Sequence, residues 1–117
     1  MNNVNLVGRL CRDTETFTSG KGKDALLIGR YTIAIDRGYD DNAATDFIPC
    51  VVFGKSAEFA EKYFKKGMRV AVSGRLQTGS YEDKDGVTRY TFDVAVNQQE
   101  FADGKKEDTE DRKRGRR

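Results

Sequence analysis

The sequence contains no histidine and no tryptophan, and its 117 residues include one proline and two cysteines. Without histidine, the chain lacks the side chain most often used for general acid–base catalysis and a common ligand of transition metals. Cys11 and Cys50 do not have C-x-x-C spacing, which argues against a cysteine metal site or a redox motif. We expect both to be small buried thiols without a disulfide bond.

Long apolar runs and phosphate-binding loops are also missing. Nowhere do eighteen apolar residues follow one another, and the first residues lack the pattern of a secretory signal. We therefore expect a cytoplasmic protein without a membrane partner. No glycine-rich loop of the G-x-x-x-x-G-K-[ST] type is present.

One acidic loop is the remaining enzymatic alternative, a metal-dependent nuclease. Its aspartates are Asp36, Asp40, Asp41 and Asp46. Solvated carboxylates are common in loops between strands, and no nucleophile or base accompanies these. We expect no catalysis, no cofactor and no bound metal.

The charge is divided unevenly along the chain. Residues 1–101 hold 14 Lys/Arg and 14 Asp/Glu, whereas residues 102–117 hold 7 basic and 5 acidic residues. The net charge of +2 therefore arises from the final segment and does not by itself argue for nucleic-acid binding. That segment has one alanine as its only apolar residue and cannot offset its ordering entropy by burial. We predict a folded domain over residues 1–101 and a disordered charged tail over residues 102–117.

Apolar and polar residues alternate with a period of two through most of the chain, which is typical of half-buried strands. Strands are predicted over residues 2–12, 25–37 and 46–53, and a long hairpin with its turn at residues 83–86 follows. One helix is predicted between Ser56 as N-cap and Gly67 as C-cap. The order of three strands, a helix and two strands predicts an all-β protein with the OB-fold, a five-stranded Greek-key barrel.

The third predicted strand, DFIPCVVF, carries two large rings on one face. If Ile48, Cys50 and Val52 fill the barrel, Phe47 and Phe53 stand on its outer surface. Exposed rings are suited to stacking with nucleic-acid bases, whereas core packing is the alternative for Phe53. Tyr39 and Tyr81 fall at loops, where the alternative to stacking is a packed surface tyrosine or a subunit contact.

Six of the remaining aromatic residues are assigned by the strand or helix face on which they lie, and the basic residues by their positions on strands or loops. We expect six rings to pack in the core: Tyr31, Phe59, Tyr63, Phe64, Tyr90 and Phe92. Eight cations on strands or loops are candidates for contacts with a phosphate backbone: Arg9, Arg30, Arg37, Lys55, Arg69, Arg75, Lys84 and Arg89. A solvated surface of mixed charge is the alternative for each of them.

Four stretches resemble the bacterial single-stranded DNA-binding protein family. NNVNLVGRL resembles its first strand, YTIAID its second, and DFIPCVVFGKSAEFAEKYFKKG its third strand and helix. VAVSGRLQTGSYEDKDGVTRY is similar to its fourth strand and long hairpin. The resemblance implies a protein that coats single-stranded DNA without strong sequence preference in replication, recombination or repair. It also implies a homotetramer, with a dimer as the alternative, and a nucleoid-associated location.

The family's base-stacking positions correspond to Tyr39, Phe47, Phe53 and Tyr81. The C-terminus departs from the family pattern, because RKRGRR stands where an acidic tip usually recruits replication and repair proteins. The chain thus resembles a short variant without that tip, and we do not expect those partners. Our hypothesis is that the basic end adds phosphate contacts.

The sequence is also compatible with two other classes of binding protein. One is an OB-fold protein that prefers single-stranded RNA, or a dimeric primosomal accessory protein. The other is an interaction protein whose exposed phenylalanines form subunit interfaces and bind no nucleic acid.

Overall fold

The computed structural model describes residues 1–38 and 44–102. Within these ranges the chain is mainly β-strand, with one α-helix and one 3₁₀ turn at Gly22–Asp24. The elements are β1 (Val4–Leu10), β2 (Glu15–Ser19), β3 (Leu26–Asp36), β4 (Thr45–Phe53), α1 (Lys55–Tyr63), β5 (Arg69–Glu82) and β6 (Thr88–Phe101).

The strands form a sheet in the order β1-β5-β6-β4-β3-β2, and pairing of β1 with β3 closes it into a barrel. All pairs are antiparallel except β4 and β6, which run parallel where Cys50 and Val51 meet Val94 and Ala95. Five strands therefore build the barrel, as the OB-fold prediction requires. The sixth strand, β2, pairs only with the first half of β3 and lies outside the closed ring.

The barrel is filled by the inward-facing row of each strand, including Ile33, Val52, Val70 and Val94. Neighbouring strands approach one another closely at glycines, which have no side chain. A Cβ on Gly8 would lie 2.6 Å from the carbonyl oxygen of Ala34, so only glycine fits at this contact.

The helix begins and ends differently from the prediction. Its first residue follows Gly54, whose carbonyl accepts the bond from the Glu58 N–H, so Ser56 lies within the first turn and is not the N-cap. It ends three residues early because Phe64 leaves the helical conformation and is fully buried in the core. Gly67 instead adopts a left-handed conformation in the turn before β5, with its N–H bonded to Leu10.

The assignment of the aromatic residues to the core is partly wrong. Tyr31 and Phe64 are buried and Phe59 packs against the core, whereas Tyr63 on the helix is exposed. The side chain of Tyr90 is 83% exposed, and Phe92 is also exposed. The outer halves of β5 and β6 pair only with each other among the described residues, so their apolar row extends beyond the barrel.

Both cysteines are free thiols, as predicted. Cys50 is buried, and its burial together with the nearby Asp93 charge raises the pKa of the thiol to about 12. Cys11 is only partly buried, whereas we expected a buried thiol. The high pKa of Cys50 keeps it protonated at neutral pH, so it acts as a packing residue.

Candidate nucleic-acid interface

The outer face of β4 presents the two rings that alternation placed there. Phe47 is 60% exposed and Phe53 is 43% exposed, while Cys50 and Val52 on the opposite face are buried. The two phenylalanines are six residues apart, so they stand about 20 Å from each other along the strand. Their predicted exposure is confirmed.

A cross-strand row passes between these rings and carries a cation near each end. It consists of Glu15, Arg30, Val51, Ala95 and Arg75, one from each of five neighbouring strands. Val51 and Ala95 are buried at its centre, whereas Arg30 and Arg75 are exposed on either side. The arrangement places positive charge on both sides of an apolar floor.

The pairing of β1 with β3, which closes the barrel, extends this face beyond Phe47. Ala34 stands opposite Phe47 on β3, and Arg9 stands opposite Ala34 on β1. Arg69 on β5 is in turn opposite Arg9, whose Nη1 donates a hydrogen bond of 2.9 Å to the carbonyl oxygen of Gly67. Two of the predicted cations therefore lie in the same row as Phe47.

The β5–β6 hairpin arm carries Tyr81, which is 57% exposed and directly opposite Arg89. The Asp83 carboxylate orders the turn by accepting bonds from the backbone N–H groups of Asp85 and Val87 and from Arg89 Nε at 2.9 Å. The Val87 and Arg89 bonds lower the pKa of Asp83. Asp83 thus holds the Arg89 side chain, while Lys84 is exposed at the tip.

Arg37, like Arg89, is already held by a carboxylate, in this case that of Asp46. Its Nε and Nη2 donate to the Asp46 carboxylate at 3.0 and 2.8 Å, a two-pronged ion pair. This pair lowers the pKa of Asp46 and raises that of Arg37. Lys55 is exposed at the start of α1, two residues after Phe53.

Three predicted features lie partly or wholly outside the described residues. These are Tyr39, the acidic loop that contains Asp40 and Asp41, and the charged tail predicted over residues 102–117. Within residues 1–38 and 44–102, no group of three or more metal-ligating side chains is close enough to hold an ion. No helix in the same part of the chain is long and apolar enough to cross a membrane.

Sequence reasoning missed Phe17, which lies on β2 and is 46% exposed. The guanidinium carbon of Arg30 is 5.6 Å from the centre of its ring. The short alternation in ETFTS was the available signal, but five polar or aromatic residues between two turns make a weak pattern for a strand.

The sequence profile of the Single-strand binding protein family matches residues 1–102, which is all but the end of the chain. The chain belongs to this family. A "Single-stranded DNA-binding protein" of Clostridium perfringens is 45% identical over 104 residues, covering 88% of this chain and 67% of that protein. Another with the same name, from Fusobacterium nucleatum, is 43% identical over 110 residues, covering 90% and 69%. The resemblance read from the four sequence stretches is confirmed.

Proposed function

We propose that this chain binds and coats single-stranded DNA without strong sequence preference and catalyses no reaction. The observation that carries the proposal is the outer face of β4, where exposed Phe47 and Phe53 flank a row with Arg30 and Arg75. Family membership and the names of the relatives support the same function. The role follows from it: protection of unpaired DNA during replication, recombination or repair.

The mechanism combines stacking with charge. Each base that stacks on an aromatic ring contributes about 1–3 kcal/mol, and every base offers such a face, so this contribution tolerates any sequence. The proposed stacking residues are Phe47, Phe53 and Tyr81. Tyr39 is proposed as a fourth on the basis of the sequence alone. Cations beside the rings neutralise phosphates and release counterions, which makes affinity depend on salt.

We also propose self-association, with a homotetramer as the expected assembly. One edge of β1 pairs with β5, but its other edge pairs with β3 only at Arg9 and Leu10. The preceding residues of β1 therefore offer backbone groups without a strand partner among the described residues. An open edge of this kind can pair with a second copy.

The direct test is fluorescence anisotropy of a labelled polythymidine strand, titrated with the protein across a series of salt concentrations. A duplex and an RNA strand of equal length serve as competitors. We expect tight, salt-sensitive binding to the DNA single strand and weak competition by both. Binding to the duplex with equal affinity, or no binding, would refute the proposal, and preference for the RNA would favour the single-stranded RNA alternative.

The cations should contribute unequally, and R75Q and R37Q form a matched pair. We expect R75Q to weaken binding and to reduce the slope of log affinity against log salt by about 0.7, the value for one phosphate contact on a single strand. R37Q should change the slope little, because Asp46 already neutralises Arg37. Equal losses in both variants would show that the Asp46 pair opens on binding.

A further inference from the structure

We propose that β2 extends the DNA-binding surface, with Phe17 as an additional base-stacking residue. The inference rests on the proposed function, since it assigns a further contact to the same ligand. The juxtaposition that carries it is a row of three apolar side chains on the outer face, Phe17, Ile28 and Phe53, paired in register across β2, β3 and β4.

The geometry of this row suits a second stacking position. Neighbouring strands are about 4.8 Å apart, so Phe17 and Phe53 stand about 10 Å from each other across the sheet. Both rings are exposed and the partly buried Ile28 lies between them, so the apolar surface is continuous. The Phe17–Ile28–Phe53 row runs across the strands, whereas Phe47 and Phe53 lie along β4. The proposed stacking surface therefore extends both along β4 and across the sheet.

A cation lies beside the Phe17 ring, as a nucleic-acid ligand requires. Arg30, directly opposite Val51 of β4, holds its guanidinium over the Phe17 ring. Glu15, its neighbour on β2, has Arg12 at 3.9 Å as an ion partner. A base that stacks on this face of Phe17 would displace the Arg30 guanidinium from the ring, and the displaced cation would lie near the phosphate of the same nucleotide.

The surface beside Arg30 is concave. A cavity of about 180 Å³ lies here and is lined by residues of β2, β3, β4 and β6. Its walls include Arg12 and Glu15 on one side and Asp93 on the other, with Thr32 and Val51 among its other lining residues. One carboxylate oxygen of Asp93 is buried and has no hydrogen-bond partner among the described residues. The cavity therefore offers Arg30 as a cation for a phosphate and the unpartnered Asp93 oxygen as an acceptor for a donor on the ligand, while Arg12 and Glu15 pair with each other.

Single-tryptophan variants test the inference directly, because the chain has no tryptophan of its own. F17W places the probe on β2, F53W on the proposed central site, and Y63W on an exposed helical position that serves as control. On titration with polythymidine, we expect quenching of F17W and F53W and no comparable change in Y63W. Quenching of F53W without quenching of F17W would overturn the inference and leave the proposed function intact.

Affinity gives a second, independent measurement. We expect F17A to weaken binding at least about fivefold, the lower end for one stacked base, and to shorten the length of strand occluded. F17Y, which keeps an aromatic face, should retain most of the affinity. If F17A changes the native mass while its affinity stays that of the wild type, Phe17 is a subunit contact and the inference fails. If the wild type itself does not bind, the proposed function fails instead.

Discussion

Replacing Phe47 and Phe53 together by alanine should reduce affinity for a polythymidine strand by about thirtyfold or more. Each ring removes about 1–3 kcal/mol of stacking, so the smallest combined loss is about 2 kcal/mol, and each 1.4 kcal/mol is tenfold. The salt slope should change little, because phosphate contacts by the cations are retained. Anisotropy titrations of wild type and variant across the same salt series measure both quantities.

The variant's folding provides the control for this result. Both side chains are exposed on the outer face, so their removal should leave the free energy of unfolding nearly unchanged. Y63A, which removes an exposed ring from the helix, should leave the affinity at the wild-type value. If F47A/F53A binds as tightly as wild type while folding normally, base stacking on β4 is excluded as the basis of binding.

The largest effect on stability is expected from F64A. Phe64 is fully buried, and its ring centre lies 5.5–5.6 Å from those of Tyr31, Phe59 and Phe101. Truncating a phenylalanine in such a core costs about 3–5 kcal/mol, because apolar contacts are lost and a cavity remains. For a domain of this size we expect the Tm to fall by roughly 12 °C or more.

Y90A is the matched comparison for F64A, since it also removes an aromatic ring. Tyr90 lies on the hairpin arm beyond the barrel and is largely exposed, so we expect a change within about 0.5 kcal/mol. Urea unfolding of both variants at one protein concentration makes the comparison, because unfolding of an oligomer depends on concentration. A loss in Y90A as large as in F64A would mean that Tyr90 is buried in an assembly.

Alternation in the sequence correctly predicted the exposed face of β4 because the period of two is a property of the extended backbone. Reading Phe47 and Phe53 as one face required only that Ile48, Cys50 and Val52 fill the core. The same rule misplaced Tyr90 and Phe92. Their alternation continues that of Val94 and Val96, but nothing in it marks where the barrel ends and the free arm begins.

The sequence by itself determined the five barrel strands and their succession along the chain, the single helix, the long hairpin and the family to which the chain belongs. These follow from local patterns, since each depends on residues close together in the chain. Only the tertiary structure decided which side chains of different strands share a surface. The Phe17–Ile28–Phe53 row, the Arg30 and Arg75 flanks and the neutralisation of Arg37 by Asp46 all depend on the strand register. Register is set by long-range strand pairing and by closure of the barrel. Alternation within one strand carries no information about either.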